Sequence, residues 1–205
     1  MINEDILGHY DSEDIITKEF MNDLQMDSSG YEFLFDQYKY EDDYVDNDTD
    51  FDEFSEDDEK LKNFEDWLRY EFEYRFDEQK RTYEILFSNG HGKMTLFRAM
   101  DVPRKWITSL SQGNRKLGIY WSYEEDAAEA HWGSGRGIQI LIQTSVTEDQ
   151  IDFEGTFAAN LQPSTGEEEK EIRLNEGEKI PLEALWVKDK EIKLNKKIKS
   201  NIYLS

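Results

Sequence analysis

"TLFRAM" at 95–100 and "EEEKEIRLNEG" at 167–177 decide how this chain is read. The first sets one arginine, Arg98, among Leu96, Phe97, Ala99 and Met100, an apolar run that reads as a buried strand. The second sets Glu169 and Glu171 two residues apart at the mouth of a strand, so both carboxylates point to one face. Outward from these two stretches, short aromatic or β-branched segments recur, separated by Gly, Asn, Asp or Pro. Strands are expected at 82–88, 93–100, 117–122, 137–146, 152–161, 169–175 and 180–189. Two short helices interrupt them, at 104–110 and 124–132. Strands that do not alternate with long helices predict an α+β fold rather than a doubly wound sheet.

The N-terminal part is different in kind. Residues 1–80 hold 28 acids against 7 bases, a net of −21 out of the chain's −23. An acidic N-terminal region (1–80) therefore precedes a nearly neutral domain (81–205). Its periodicity predicts a helix over 11–25, with Ile15, Ile16, Phe20 and Leu24 on one face. A second is predicted over 55–80, where Leu61, Phe64, Leu68, Phe72 and Phe76 form a stripe widened by Trp67. Ser55 with Asp58 reads as its capping box. "YEFLFDQYKY" (31–40) fits strand or helix. Residues 41–60 hold 12 acids and one base, and like-charge repulsion makes a solvated segment the expected state. The alternating Asp46, Asp48, Asp50 and Asp52 suggest a calcium loop, but Phe51 and Asp57 stand where that loop needs glycine and glutamate. The interleaved Tyr40, Tyr44, Phe51 and Phe54 offer a further alternative, rings buried against a basic partner.

Composition excludes several functions. With no cysteine there is no disulfide framework, thiolate metal site or cysteine nucleophile. No histidine pair has metal-ligand spacing, so no metal is expected. His9 and His91 are isolated, and His131 lies on an alanine-rich helix face, where it reads as a packing residue. No apolar run approaches the roughly 20 residues of a membrane span, and "MINEDILGHY" lacks the pattern of a signal peptide. A cytoplasmic chain is the expectation. The charge disfavours anionic membranes and direct nucleic-acid binding, and favours basic protein surfaces.

Three groups carry the candidate chemistry. A guanidinium offers a planar fork of donors suited to phosphate, so Arg98 is either a phosphate ligand or a strand arginine facing solvent or a core carboxylate. Ser122 ends the strand in "YWSYEEDAAEAHW" (120–132). It either caps the helix that follows or orients a carboxylate on a neighbouring strand. Glu169 and Glu171 form either a polar edge or a carboxylate pair with split roles.

Taken in order, an aromatic-Arg-small strand, a strand ending in serine before a helix, and a late "EKEIRL" strand resemble the Arg–Ser–Glu group of ADP-ribosyltransferases. Many bacterial toxins belong to that family, as do phage enzymes that modify host proteins. The resemblance covers about 81–189. It implies an ADP-ribosyltransferase-like split β-sandwich, with NAD as substrate. Arg98 would grip the NAD phosphates and Ala99 would present its backbone to the nicotinamide amide. Ser122 would hold Glu171, and Glu171 would stabilise the sugar cation as nicotinamide leaves. Glu169 would position or deprotonate the acceptor, a glutamate there accompanying arginine acceptors, and the loop 161–168 would recognise it. Tyr120, Trp121 and Tyr123 would wall and stack the nicotinamide. The chain departs from the common pattern at Glu124, where the family often has a second hydroxyl residue.

The expected activity is mono-ADP-ribosyl transfer to a macromolecule, with a protein arginine as acceptor, in host cytoplasm for a phage protein. The rival is a non-enzymatic acidic inhibitor, a nucleic-acid mimic that binds a basic surface through residues 1–80. A third reading rests the acidic arm on the basic tail "KDKEIKLNKKIKSN" (188–201) as a brake.

Overall fold

The computed structural model describes residues 7–26, 28–41, 45–46, 49–112, 116–130, 137–161, 170–187, 190–192 and 201–204. They form two compact units. One comprises Leu7–Arg81 with Phe157–Gly166, the other Met1–Ile6, Thr82–Thr156 and Glu167–Ser205.

The first unit is helical. The stretch expected to be one helix over 11–25 is two, α1 (Ser12–Ile15) and α2 (Lys18–Met26). The break has a local cause: Thr17 Oγ1 accepts from Phe20 N at 3.1 Å and starts a second helix. The ambiguous 31–40 lies in helix α3 (Ser28–Glu41), with Tyr31, Leu34, Phe35 and Tyr38 buried at helical spacing. Residues 41–60 depart from a purely solvated segment. Asp50 caps a short helix α4 (Phe51–Ser55), which buries Phe54. Phe51 packs edge-on against Tyr31 and Phe35, so these rings enter the chain's own core. Tyr40 stays 83% exposed. Tyr44 and Asp48 lie outside the described residues, among which no cluster suits a metal ion.

Helix α5 (Asp58–Asn89) is the longest element. Asp57 caps it, accepting from Glu59 N and Lys60 N, whereas Ser55 turns back to Asp52 O. The expected strand at 82–88 is instead its last two turns. Tyr83 and Phe87 extend the buried stripe of Phe64, Leu68, Phe72 and Phe76 in steps of four and seven, and this 3.6-residue period overrides local β propensity.

The second unit is built on an antiparallel sheet, so the α+β class holds. Strand β1 (Met94–Val102) is followed by helix α6 (Arg104–Ser111). Next come β2 (Lys116–Leu117), β3 (Tyr120–Ser122) and helix α7 (Glu125–Ala130). Strand β4 (Ile138–Val146) and helix α8 (Phe153–Leu161) follow. Last are β5 (Glu171–Arg173), β6 (Lys179–Pro181), β7 (Ala184–Val187), β8 (Lys190–Glu191) and β9 (Asn201–Leu204). Six strands form one sheet in the order β5-β3-β1-β4-β7-β8, and three form another in the order β2-β9-β6. Two expected strands, 117–122 and 180–189, are each split. Residues 118–119 and 182–183 step the chain from the small sheet to the large one.

The expected strand at 152–161 is α8. Phe153, Thr156, Phe157, Asn160 and Leu161 are buried at helical spacing, and Asp152 Oδ1 accepts from Gly155 N at 2.9 Å, a helix-start cap. Asp152 also pairs with Arg173 at 3.0 Å, tying the start of α8 to β5. Among the described residues, no helix is long and apolar enough to cross a membrane.

In the helical unit Phe64, fully buried, meets the rings of Tyr31, Phe35, Tyr38 and Trp67. Phe64→Ala is expected to destabilise that unit by ~3–5 kcal/mol, the range for a deleted core ring. Urea unfolding of the intact chain, followed by far-UV circular dichroism, measures it.

Candidate active site

Strand register brings the candidate residues together. Phe97 on β1 stands opposite Ser122 on β3, and Ser122 stands opposite Glu171 on β5. Directly opposed residues have Cβ atoms roughly 4.5–5.5 Å apart, so the Ser122 hydroxyl and the Glu171 carboxylate are cross-strand neighbours. Arg98 stands one residue beyond this row. Together Arg98, Ala99, Tyr120, Trp121, Ser122 and Glu171 line a cleft of about 330 Å³, with Ala128 of α7 as a further wall. That volume suits a small-molecule site, whose usual range is about 300–1,000 Å³.

Arg98 is half-buried. Its Nη1 donates to Gly118 O at 3.2 Å and to Tyr120 O. Its guanidinium lies 6.0 Å from the centroid of the Trp121 ring. The indole Nε1 of Trp121 donates to the same Gly118 carbonyl at 3.2 Å, so arginine and tryptophan share one acceptor. Burial pushes the Arg98 pKa down, and the nearby Glu171 carboxylate partly offsets this. The intrinsic value is so high that the group remains cationic. Among the described residues lining the cleft, Arg98 is the cationic side chain and Glu171 the acidic one.

Ser122 is buried, and its Oγ accepts from Glu124 N at 3.2 Å. The serine thus does turn-capping work before α7, while its register faces Glu171. Glu171 is half-buried and follows Lys170, which adopts φ 49°, the left-handed region. A lysine there costs about 1 kcal/mol or more. Lys170 O accepts from Tyr123 N at 3.2 Å, which ties the start of β5 to the end of β3.

The three aromatic candidates separate. Tyr120 lines the cleft and is 49% exposed. Trp121 lines the cleft but is buried, with the Arg98 guanidinium 6.0 Å over its ring. Tyr123 is not among the cleft-lining residues. Its ring packs edge-on against Tyr83 of α5, with centroids 5.9 Å apart. Glu169, His131 and most of the loop 161–168 lie outside the described residues.

Two residues beside the candidate set, Gly118 next to Arg98 and Ala128 in the cleft wall, carry no catalytic signal in the sequence. A Cβ at Gly118 would approach Arg98 Nη2 to 3.0 Å. Ala128 packs with Ala99 and Leu141, bringing α7 against the sheet. The alanine run at 127–128 was the available signal for the latter. The position of Gly118, two residues before Tyr120, carried none.

Compared with known protein families, curated proteins and solved structures, the chain matches none.

Tyr123 offers a pH test of this geometry. Burial, aided by the Glu124 carboxylate, raises its pKa to about 12, against about 10 in an unfolded chain. A group raised in the fold contributes stability that is complete below the unfolded pKa. This contribution is lost as pH climbs to the folded value. Tyr123→Phe is therefore expected to lose less stability than the parent chain between about pH 10 and 12, as read by denaturant midpoints across that range.

Proposed function

We propose that this chain is a mono-ADP-ribosyltransferase that moves ADP-ribose from NAD to a macromolecular acceptor, with a protein arginine as the favoured group. The observation that carries this reading is the cleft shared by Arg98, Ser122 and Glu171 on three neighbouring antiparallel strands. The two sheets joined by the β2–β3 and β6–β7 steps support an ADP-ribosyltransferase-like split β-sandwich.

In this mechanism the Arg98 guanidinium binds the dinucleotide's phosphates as a fixed cation. The described β1–β3 register is limited to Phe97–Ser122, so the backbone about Ala99 lies outside that pairing and can meet the nicotinamide amide. Tyr120 is the one stacking candidate with an exposed ring in the cleft. The bond between the ribose C1′ and the nicotinamide nitrogen breaks, and nicotinamide leaves with the electron pair. Glu171, oriented beside Ser122, stabilises the cationic sugar electrostatically. A nitrogen of the acceptor guanidinium then bonds to C1′ and gives up a proton, which the proposed base, Glu169, accepts.

The acidic region supports a second reading, as a surface that binds a basic protein. Its described residues leave Phe33, Tyr40, Tyr70 and Tyr74 exposed among carboxylates. In the first reading this surface would recruit the acceptor. In the second it would be the whole function.

Glu171→Gln separates the two. Incubated with labelled NAD and host lysate, the parent protein is expected to transfer label and release nicotinamide, and the variant to be slower by about 10²–10³-fold, the scale of a lost transition-state charge partner. Equal inertness of both proteins, with binding to basic proteins retained, would leave the second reading standing.

A further inference from the structure

Gly118 lies outside the Arg–Ser–Glu set and outside the cleft lining, yet it touches the Arg98 guanidinium both through its carbonyl and through the space its missing side chain leaves. Its carbonyl accepts from Arg98 Nη1 at 3.2 Å and from Trp121 Nε1 at 3.2 Å. A Cβ on it would stand 3.0 Å from Nη2, 3.4 Å from Nη1 and 3.5 Å from Cζ. The guanidinium therefore lies against the space that a side chain at 118 would enter, with the Trp121 ring centroid 6.0 Å from Cζ. Conformation does not require a glycine here, because the positive-φ glycines among the described residues are Gly92 and Gly177. Space for the guanidinium is the remaining reason for it.

We propose that Gly118 and Trp121 are positioning residues that set the aim of Arg98 and so determine affinity for the pyrophosphate of a dinucleotide. This rests on the reading of Arg98 as the phosphate ligand. The backbone carbonyls of Gly118 and Tyr120 hold Nη1, and the buried Nε has no hydrogen-bond partner. Nη2 makes no hydrogen bond among the described residues, so it is the nitrogen left to meet an anion. A guanidinium already held at one nitrogen by two backbone carbonyls loses less rotamer freedom on binding, which favours affinity. Trp121 contributes by donating to the shared carbonyl. It thereby fixes the direction of the Gly118 peptide, and its ring supports the guanidinium from one side.

The test is a double-mutant cycle on the full chain, with inorganic pyrophosphate and NAD as probes and binding read by calorimetry. Gly118→Ala is expected to weaken both ligands about tenfold, the scale of one misaligned charged hydrogen bond. Thermal unfolding should be nearly unchanged. In an Arg98→Lys background, where the planar fork is already lost, the same change should have no further effect, because the two sites are coupled. Trp121→Phe keeps the ring but removes the donor, and should weaken pyrophosphate without abolishing it. If Gly118→Ala binds like the parent, or its effect adds fully to that of Arg98→Lys, the positioning proposal is wrong although NAD binding stands. If pyrophosphate binding shows the coupling but NAD is neither bound nor cleaved, the clamp is real and the transferase reading fails. If the parent chain binds neither probe, both fall.

Discussion

The antiparallel ladder between β1 and β4 is the constraint on which the second unit depends. Nine residue pairs run without interruption from Met94–Val146 to Val102–Ile138. Leu96, Val102, Ile140, Ile142 and Val146 are buried along it. Because side chains alternate with a period of two, a slip of one residue would carry this apolar set to the opposite face and place Arg98 where Ala99 now packs. Burial along the ladder therefore makes any other register costly. Once β1 is fixed, Phe97 fixes Ser122 across β3, and Ser122 fixes Glu171 across β5. The geometry of the cleft is inherited from a strand pair that lies mostly outside it.

A guanidinium in the middle of such a strand has to be satisfied without breaking the sheet. The chain does this with two backbone carbonyls, one in the two-residue step from the small sheet to the large one and one at the start of β3. The step that splits the expected strand 117–122 thus supplies the acceptor at Gly118, and the first residue of β3 supplies the one at Tyr120. Sheet splitting and arginine capture are one structural event. The acid end of the cleft is arranged likewise, with the left-handed Lys170 bonded to Tyr123 immediately before Glu171.

How much of this was legible varies with the range of the forces involved. The long helix and its buried stripe were readable because the 3.6-residue period is local, and so were β1, β4 and β5. The segments 82–88 and 152–161 misled because short aromatic runs satisfy both periods. Their helical state is decided by continuity with α5 in one case and by the Asp152 cap in the other. The sequence order of Arg98, Ser122 and Glu171 was visible, but their adjacency depends on strand order β5-β3-β1, which no local pattern carries. Tyr123 was grouped with Tyr120 and Trp121 by proximity in the chain. It is separated from them by the end of β3 and the attraction of Tyr83. Gly118 was invisible because its contribution is the absence of a side chain.

For the dinucleotide site proposed above, a net charge of −23 is unfavourable at long range, and the distribution of that charge along the chain bears on the proposal. Of that excess, −21 belongs to residues 1–80, while residues 81–205 carry 19 acids against 17 bases. Exposed charges farther away than the Debye length, ~8 Å at physiological ionic strength, are largely screened. Arg98 is partly desolvated, so its field within the cleft is screened much less. The local cation is thus the charge that acts on a group in contact with it, while the chain's net charge repels anions at long range. The consequence is kinetic as well as energetic. Long-range repulsion slows the encounter with an anionic ligand at low salt, whereas on the proposed reading the contact itself depends on how Arg98 is held beside Gly118 and Trp121. A basic protein experiences the opposite field and is attracted by the same acids. On the proposed reading, that charge asymmetry would leave NAD capture to a partly buried contact and give acceptor capture a long-range attraction.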